Sequence, residues 1–326
     1  MKADAFVLKP MRKIISHGKT REQLDTSRGE LKDQEANDYV REQILDADQG
    51  QGLMVAKFGS IEFMNVCSYL EINSGSRASQ IRDYLTGKKN YIFPDECLKM
   101  LVNNAGFFPE SPVLWKKYVK LFLEDLKDID ILGSYIVDEE MVEDRLVSCK
   151  KTVNLDGYLA PFLWKHPWTS ALENKKVLVI HPFTDSIKKQ YERRETLFED
   201  PLVLPEFKEL ICIKAVQSIA GNGPSTGFSD WFAALHSMEE QIDQVDFDVA
   251  LIGCGAYGME LAAYCKRKGK IAIHMASWVQ MLFGIYGNRW LNDQPEYRGF
   301  INPYWIRPMD SEKPENLDKV EKGAYW

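Results

Sequence analysis

The residues from 253 to 258 have the types and spacing that hold a diphosphate in many nucleotide-binding proteins. Gly253, Gly255 and Gly258 match the pattern G-x-G-x-x-G, directly after an apolar run and before an amphipathic one. The first glycine permits a tight turn, the second lets the backbone approach phosphate oxygens, and the third lets a helix pack close to a strand. Free N–H groups at the start of that helix attract anions. The pattern predicts contact with a diphosphate, and glycines that serve packing alone are the alternative.

The residues that follow this motif argue against a nicotinamide cofactor. Dinucleotide-binding units carry an acidic residue about 20 positions further on, where it holds the ribose hydroxyls. Here the next apolar run, at residues 271–275, is followed by Ala276, Ser277 and Trp278, with no Asp or Glu. The sequence therefore favours another ligand that carries a diphosphate, such as a nucleotide sugar.

A second group of polar residues lies near the front of the chain. Lys57, Gly59, Ser60 and Glu62 end or follow the apolar run at residues 53–58. We expect Ser60 to cap a helix that carries Glu62 in its first turn, at the sheet edge where open α/β folds bind ligands. A carboxylate there can act as a base, hold a metal or accept sugar hydroxyls. Its alternative role is a favourable interaction with the helix dipole.

Further polar residues follow predicted strands and are expected at the same edge. His181 and His274 each end an apolar run, although a histidine in such a place can also be purely structural. Four more residues follow the last run: Gln280, Asn288, Arg289 and Trp290. Arg289 can neutralise a diphosphate, and Trp290 can stack on a base or a sugar. Packing of an aromatic segment is the alternative for this group.

The elements that would position these residues can be read from the hydrophobic pattern. Apolar runs typical of strands buried on both faces lie at residues 53–58, 130–135, 177–181, 210–216, 248–253 and 271–275. Helices are predicted at 33–48, 60–69, 94–102, 112–126, 139–149, 184–199, 230–244 and 257–268, with an aromatic loop at 159–168. Such alternation implies right-handed βαβ units. We predict an α/β fold, a doubly wound, Rossmann-like and mostly parallel sheet with flanking helices.

Composition excludes several classes of protein. The 326 residues are 45% hydrophobic and 27% charged, which is typical of a globular chain rather than a disordered one. The net charge of -7 lacks the basic surplus that a generic nucleic-acid binder needs. Six cysteines without a C-x-x-C pair indicate reduced thiols of a cytoplasmic protein. The 12% aromatic share indicates core mass, sugar contacts or both.

The first residues differ in charge from the rest of the chain. Residues 1–21 hold six basic side chains against one acidic side chain: Lys2, Lys9, Arg12, Lys13, Lys19 and Arg21 against Asp4. We predict a solvated, partly ordered terminus, and contact with an anionic membrane surface is the alternative. No apolar stretch reaches the roughly 18 residues of a membrane-spanning helix. The expected location is the cytoplasm, with peripheral contact at the inner face of the membrane as a further option.

Two motifs, one near the front of the chain and one near its back, resemble those of glycosyltransferases of GT-D type. The chain more closely resembles a bacterial family of GT-D-type domain proteins. The resemblance rests on Gly59 to Glu62 at the front and on four later segments: residues 177–183, 247–258, 272–274 and 280–290. It covers roughly residues 35–295. It implies a GT-D-like α/β catalytic domain at residues 33–295 with a Rossmann-like half at 175–290. A basic extension at 1–32 and a tail at 296–326 lie on either side of that domain.

The resemblance implies a glycosyltransferase of hexosyltransferase type. Such an enzyme moves a sugar from a nucleotide sugar, here a UDP-sugar, to an acceptor hydroxyl in surface polysaccharide or glycoconjugate synthesis. The expected catalytic residues are Glu62, His181 and His274. The expected donor-binding residues are Lys57, Gly59, Ser60, Gly253, Gly255, Gly258, Gln280, Asn288, Arg289 and Trp290. A non-catalytic nucleotide-sugar binder and, less favoured, a nicotinamide-dependent oxidoreductase remain the alternatives.

The metal site that the resemblance implies is altered in this chain. GT-D enzymes carry an Asp-x-Glu motif linked to a divalent cation, and this sequence has Ser60, Ile61 and Glu62 at that place. Mn²⁺ or Mg²⁺ prefers carboxylate oxygens, so the serine removes one hard anionic ligand. Three interpretations stay open. Glu62 and the donor diphosphate hold the metal, or Arg289 and Lys57 replace it, or catalysis has been lost.

Overall fold

Seven strands form one parallel sheet, which confirms the predicted α/β class. The computed structural model describes residues 2–16, 23–47 and 50–326. Its strands are β1 (Leu53–Lys57), β2 (Ile131–Gly133), β3 (Lys151–Val153), β4 (Lys176–His181), β5 (Glu209–Lys214), β6 (Val249–Ile252) and β7 (Ile271–His274). Their order across the sheet is β3-β2-β1-β7-β6-β4-β5, and every neighbouring pair runs parallel.

Helices cover both faces of this sheet and bury it. Eleven α-helices lie in the described part of the chain: α1 (Lys2–Ile15), α2 (Asp33–Asp46), α3 (Ser60–Ile72), α4 (Arg77–Leu85), α5 (Pro94–Met100), α6 (Pro112–Asp125), α7 (Leu155–Leu159), α8 (Thr184–Tyr191), α9 (Trp231–Asp243), α10 (Gly258–Arg267) and α11 (Trp278–Leu282). Alternate residues of one strand enter different apolar clusters, as Leu178 and Val179 of β4 do. This alternation is what a pleated strand produces when both of its faces are covered.

The connections between strands create a crevice at one edge of the sheet. The chain leaves β4 toward β5 on one side, whereas it leaves β6 toward β7 on the other side. β4 and β6 are neighbours, so the loops after them diverge and leave a gap between their carboxyl ends. Open α/β sheets bind ligands at such a topological switch point.

Two predicted elements differ in the structure. Residues 139–149 were expected to be a helix, but a 3₁₀ helix covers Val137–Arg145 and a turn follows. There Glu139 accepts hydrogen bonds from the backbone N–H groups of Tyr135 and Ile136, at 3.0 and 2.9 Å, which holds its side chain against the entry of the segment. The predicted helix at 184–199 ends at Tyr191, and a separate 3₁₀ turn covers Arg194–Thr196.

Strand β3 was not predicted from the sequence. It has only three residues, it lies at the edge of the sheet, and two of its side chains are polar. Its outer edge is covered, because the backbone N–H groups of Glu30 and Leu31 donate to the carbonyl oxygen of Thr152 at 3.0 and 3.1 Å. A covered edge leaves no free ladder for another chain to join.

Part of the basic head is helical in the described residues. Residues 2–15 form helix α1, whose Ala5 and Leu8 pack against Tyr84, Ile92 and Phe93. Lys19 and Arg21, two basic residues of the head, lie outside the described residues. Asp48, the predicted end of the next helix, also lies outside them. Within the described ranges, none of the helices combines the length and the apolar character needed to cross a membrane.

Candidate functional site

A pocket lies at the carboxyl edge of the sheet and encloses about 1020 Å³ of empty space, its open mouth included. The pocket extends from the end of β1 across the crevice between β6 and β4. Ten of the residues singled out in the sequence line it: Lys57, Gly59, Ser60, Glu62, His181, Gly253, Gly255, His274, Gln280 and Arg289. Segments more than 200 residues apart in the chain therefore meet at one site.

Lys57 and Glu62 are charged side chains without an ion-pair partner among the described residues. Burial is the main cause that lowers the pKa of Lys57 from 10.5 to about 8, although the Glu62 carboxylate opposes that shift. Burial also raises the pKa of Glu62, while its own backbone N–H and the Lys57 charge lower it. The Lys57 ammonium donates a long hydrogen bond to the hydroxyl of Tyr135, at 3.5 Å. Both groups are therefore available to a ligand and tuned toward neutral pH.

The start of α3 forms one wall of the pocket. Ser60 was expected to cap this helix, but it is the first helical residue, and the N-cap is Gly59, which has no side chain to offer. The Glu62 carboxylate folds back over Gly59, where a Cβ would collide with it. The N-cap therefore supplies no side-chain oxygen to the first N–H groups of α3, and the Glu62 carboxylate accepts only its own N–H. Such groups attract an anion, and the helix dipole adds to that attraction.

The two histidines are held as neutral side chains with different tautomers. Burial lowers the pKa of each to about 3, so both are uncharged at neutral pH. Nδ1 of His181 accepts the backbone N–H of Phe183 at 3.0 Å, which places its proton on Nε2. Nδ1 of His274 lies 3.1 Å from the carbonyl oxygen of Lys57 and donates to it, which leaves Nε2 as an acceptor. His181 can donate a hydrogen bond to a ligand, but neither ring can supply positive charge.

The glycines of this motif have two different roles, one in the turn and one in packing. Gly255 adopts a φ of +58°, and a Cβ there would lie 2.7 Å from the carbonyl oxygen of Ala105. A larger residue at 255 is excluded by both constraints. Gly258 starts α10 and does not line the pocket, because it lies against Nε2 of His274. The N–H of Gly253 donates to Ile180 at 3.0 Å, so the later N–H groups of the turn are the ones left for a ligand.

Arg289 reaches the pocket together with residues from the end of the sequence. Its guanidinium pairs with the Glu321 carboxylate and donates to the Tyr325 hydroxyl at 3.0 Å. The same guanidinium lies 4.6 Å from the centre of the Tyr325 ring. Backbone hydrogen bonds fix this arrangement, since the N–H of Arg289 donates to the carbonyl oxygen of Ala324 at 2.8 Å. Lys57 and Arg289 are the only cations among the residues that line the pocket, and Arg289 already has an ion-pair partner.

The charges that line the pocket cancel. Two cations, Lys57 and Arg289, face two carboxylates, Glu62 and Glu321, and both lining histidines are neutral. A dianionic ligand would give this group a net charge of -2, which falls to -1 if one carboxylate moves away or takes up a proton. Glu321 is 36% exposed and can move into water, whereas Glu62 is held against Gly59.

Two residues expected in the site contribute to the surrounding packing instead. Trp290 is fully buried and packs edge-on against Trp278, with 6.3 Å between ring centres, so it does not offer a face to a base. Asn288 donates to the carbonyl oxygen of Gly323 at 3.2 Å and accepts from Arg307 at 3.0 Å. Neither side chain lines the pocket. The motif 280–290 places Gln280 and Arg289 at the site and the other two residues behind it.

The aromatic wall of the pocket comes from residues that the sequence did not single out. Phe183, Tyr325 and Trp326 line it, and Trp326 packs edge-on against Phe183 with 5.7 Å between ring centres. Phe183 directly follows His181 and Pro182, so its position at the end of β4 was a usable signal. Nothing in the spacing of residues 321–326 indicates that this segment folds back onto the sheet edge. Those contacts depend on long-range packing.

The side chains around Glu62 do not fit a resident divalent cation. Among the described residues, no group of three or more His, Cys, Asp or Glu side chains lies close enough to hold a metal. Ser60 offers one neutral oxygen, and the nearest charged neighbour of Glu62 is the cation Lys57. Mn²⁺ and Mg²⁺ are bound by several oxygen ligands, with carboxylates preferred. These side chains therefore do not make a site for either ion.

Comparisons of the chain with protein-family models, with curated proteins and with solved structures gave no match. The GT-D resemblance thus stays a prediction that rests on the sequence motifs. The fold and the pocket geometry do not depend on it.

The charge state of Lys57 predicts a pH dependence of anion binding. Below about pH 8 the ammonium is charged and attracts a diphosphate, and above that pH the group is neutral. A bound diphosphate favours the charged form, so UDP should bind with proton uptake above pH 8, and its affinity should fall about tenfold as the charge is lost. Calorimetry in two buffers of different ionisation enthalpy measures both quantities.

A matched variant isolates the contribution of Lys57. Lys57→Met removes the ammonium while keeping a long apolar stem, so its UDP affinity should be weak and flat across the same pH range. A Lys57→Met protein that keeps the wild-type pH profile would assign the titration to another group.

Proposed function

We propose that the protein is a glycosyltransferase that uses a nucleotide sugar, in particular a UDP-sugar, as donor and an acceptor hydroxyl as second substrate. One observation supports this most. The first turn of α3 with Glu62, the glycine turn at 253–257 and Arg289 line a single pocket at the switch point of a parallel sheet. Donor-diphosphate contacts and a candidate base are thereby adjacent. We further propose a role in the synthesis of surface polysaccharide or glycoconjugate. The free cysteines support only the cytoplasmic location that goes with this proposal.

In this proposal the diphosphate lies between the first turn of α3 and the glycine turn. Lys57 and Arg289 neutralise it, and the N–H groups of α3 donate to its oxygens. Arg289 becomes available when the donor displaces Glu321, whose carboxylate competes with the phosphates for the same guanidinium. The aromatic wall of Phe183, Tyr325 and Trp326 then offers apolar surface to the uracil or the sugar.

Glu62 is the proposed base. As the bond between the anomeric carbon and the diphosphate breaks, the acceptor oxygen bonds to that carbon and its proton passes to the Glu62 carboxylate. The raised pKa makes Glu62 a stronger base than an exposed carboxylate. Lys57, Arg289 and the Nε2–H of His181 stabilise the negative charge that develops on the leaving diphosphate. The Nε2–H of His181 is available for this because it has no acceptor among the described residues.

His274 has a positioning role in this proposal. Its hydrogen bond to the carbonyl oxygen of Lys57 ties the end of β7 to the end of β1, and its ring lies against Gly258. Because burial lowers its pKa to about 3, it is too weak a base to take a proton from an acceptor. His181 and His274 therefore bind and position, and Glu62 alone acts on the proton.

A second function is favoured by one specific observation. Arg289 is already held by Glu321 and Tyr325, and the Asp of the Asp-x-Glu motif is absent. A protein that binds nucleotide sugars without turning them over would tolerate both features. This non-catalytic binder is the alternative that the following experiment distinguishes.

The test is UDP release from a panel of UDP-sugars, with and without acceptor sugars, each measured with added Mn²⁺ and with EDTA. We expect release by the wild-type protein that persists in EDTA, because the side chains around the proposed diphosphate site supply cations rather than metal ligands. Glu143→Gln, which changes a carboxylate outside this pocket, should keep the wild-type rate. Tight UDP-sugar binding without release would favour the binder. Micromolar NAD(H) binding with no UDP binding would favour an oxidoreductase.

A further inference from the structure

Helix α1 presents a wide apolar face to solvent. Phe6 and Ile14 are 85% and 74% exposed, and Val7, Met11 and Ile15 are exposed as well. These residues form two neighbouring rows of i, i+4 spacing, with Pro10 completing the first row. Residues four apart share a helix face, so the exposed side chains form one continuous stripe along the helix. A stripe of this kind indicates an interaction surface rather than scattered apolar residues.

The opposite face of α1 fixes the helix to the body of the protein. Ala5 and Leu8 are buried against a small apolar cluster that includes Tyr84 and Phe93. The Arg12 guanidinium lies 4.5 Å from the centre of the Tyr84 ring and donates to the Asn90 side chain at 2.6 Å. The helix therefore cannot rotate to bury its outer stripe without losing these contacts. In the described residues, nothing covers the outer stripe.

Basic residues border this stripe. Lys9 and Lys13 form a row beside Phe6 and Pro10, and no acidic residue occurs between residues 5 and 16. Lys13 has no ion-pair partner among the described residues, while Lys9 pairs with Glu96 at 2.7 Å. The chain as a whole carries a net charge of -7, so an anionic surface would repel most of it. This helix is the local exception in charge.

We propose that α1 docks the protein on an anionic lipid surface. A helix with a strong apolar stripe and flanking lysines lies in the interface plane of a membrane, with the apolar side chains between the headgroups and the acyl chains. The lysines then face the anionic headgroups, whose negative charge attracts basic residues near the surface. The apolar stripe supplies affinity, and Lys13 with its neighbours supplies the preference for anionic lipid. This proposal does not depend on sugar transfer.

Sedimentation with vesicles tests the proposal on the full-length chain. Vesicles of phosphatidylcholine with phosphatidylglycerol should bind the protein, and vesicles of phosphatidylcholine alone should bind it much more weakly. Lys13→Gln should lower the partition coefficient about fivefold. The double variant Phe6→Ser/Ile14→Ser should lower it more than about tenfold, because each side chain loses its transfer into the apolar layer. Added salt should weaken binding by screening the charges.

Matched controls separate docking from general apolar exposure. Val113→Ser/Val147→Ser removes two apolar side chains that are 69% and 72% exposed and lie outside α1, and it should bind vesicles like the wild type. Thermal melting of each variant checks that the fold is kept. Equal binding to both vesicle types, or undiminished binding by the α1 double variant, would overturn the proposal. So would a dimer in sedimentation equilibrium that the α1 double variant dissociates, because the stripe would then bind a second copy.

Discussion

Glu62→Gln should lose sugar transfer by about a thousandfold while it keeps the wild-type fold. The amide cannot accept the acceptor proton, yet it has nearly the same size and shape as the carboxylate. The Glu62 side chain bonds to no other residue of the described chain, and burial already raises its pKa, so a neutral group at this place costs little stability. UDP release and melting temperature, measured on the same preparation, check the two parts of this expectation.

Glu71→Gln on the same helix is the contrasting variant. Glu71 lies in the last turn of α3, where it accepts the backbone N–H groups of Asn90 and Tyr91 at 3.0 and 2.7 Å. Its replacement should cost about 1–3 kcal/mol of stability and leave transfer per folded molecule unchanged. A Glu62→Gln protein with wild-type turnover would remove Glu62 from the mechanism.

Arg289→Ala should weaken UDP binding about a hundredfold. The guanidinium can make two charge-assisted hydrogen bonds to a diphosphate, each contributing roughly 1.5–3 kcal/mol. Calorimetry with UDP measures the effect directly. Arg307→Ala is the matched control, because Arg307 is an exposed arginine that contacts Asn288 and Tyr286 outside the pocket. Equal affinity of the Arg289 and Arg307 variants would show that the diphosphate does not reach Arg289.

Glu321→Gln should change the same affinity in the opposite direction. Without the carboxylate, Arg289 loses its internal competitor and the phosphates lose a repelling neighbour. UDP should then bind about fivefold more tightly, which is the size of a partly exposed charge pair. Opposite changes in UDP affinity in these two variants would distinguish competition for Arg289 from a general loss of folding, because a folding defect would weaken binding in both variants.

The sequence predicted the centre of the sheet well because its strands carry the signal of double burial. The runs that became β4, β6 and β7 are continuous and apolar, and turn residues bound them, so their ends were right to within one or two residues. The edge strand β3 was missed because Lys151 and Thr152 are polar and only half-buried, and three residues are too few for a pattern. Burial on both faces leaves a continuous apolar run in the sequence, whereas pairing at an edge leaves no such run.

The site was predicted in part, because several of its residues lie at the ends of these strands. Strand-end residues such as Lys57, His181 and His274 could be placed at one edge, since parallel strands all end on the same side. Trp290 was expected to meet a ligand, but its indole completes the core beside Trp278, and an aromatic residue after a strand is compatible with either role. Glu321 and Tyr325 could not be foreseen, because no local pattern reveals which distant residue a returning segment contacts.

The position of β7 has a consequence for how the chain folds during synthesis. β7 is the last strand to leave the ribosome, yet it lies in the middle of the sheet, between β1 and β6. Until residues 271–274 emerge, β1 and β6 each lie at the edge of a partial sheet, and the side of each strand that will face β7 is unpaired. Because the faces of these strands are apolar, each edge is a template for another nascent chain. Closure must then join β1 to a strand more than 200 residues away, a pairing of high contact order. A chaperone that holds the N-terminal half until this strand arrives should raise the yield of folded protein.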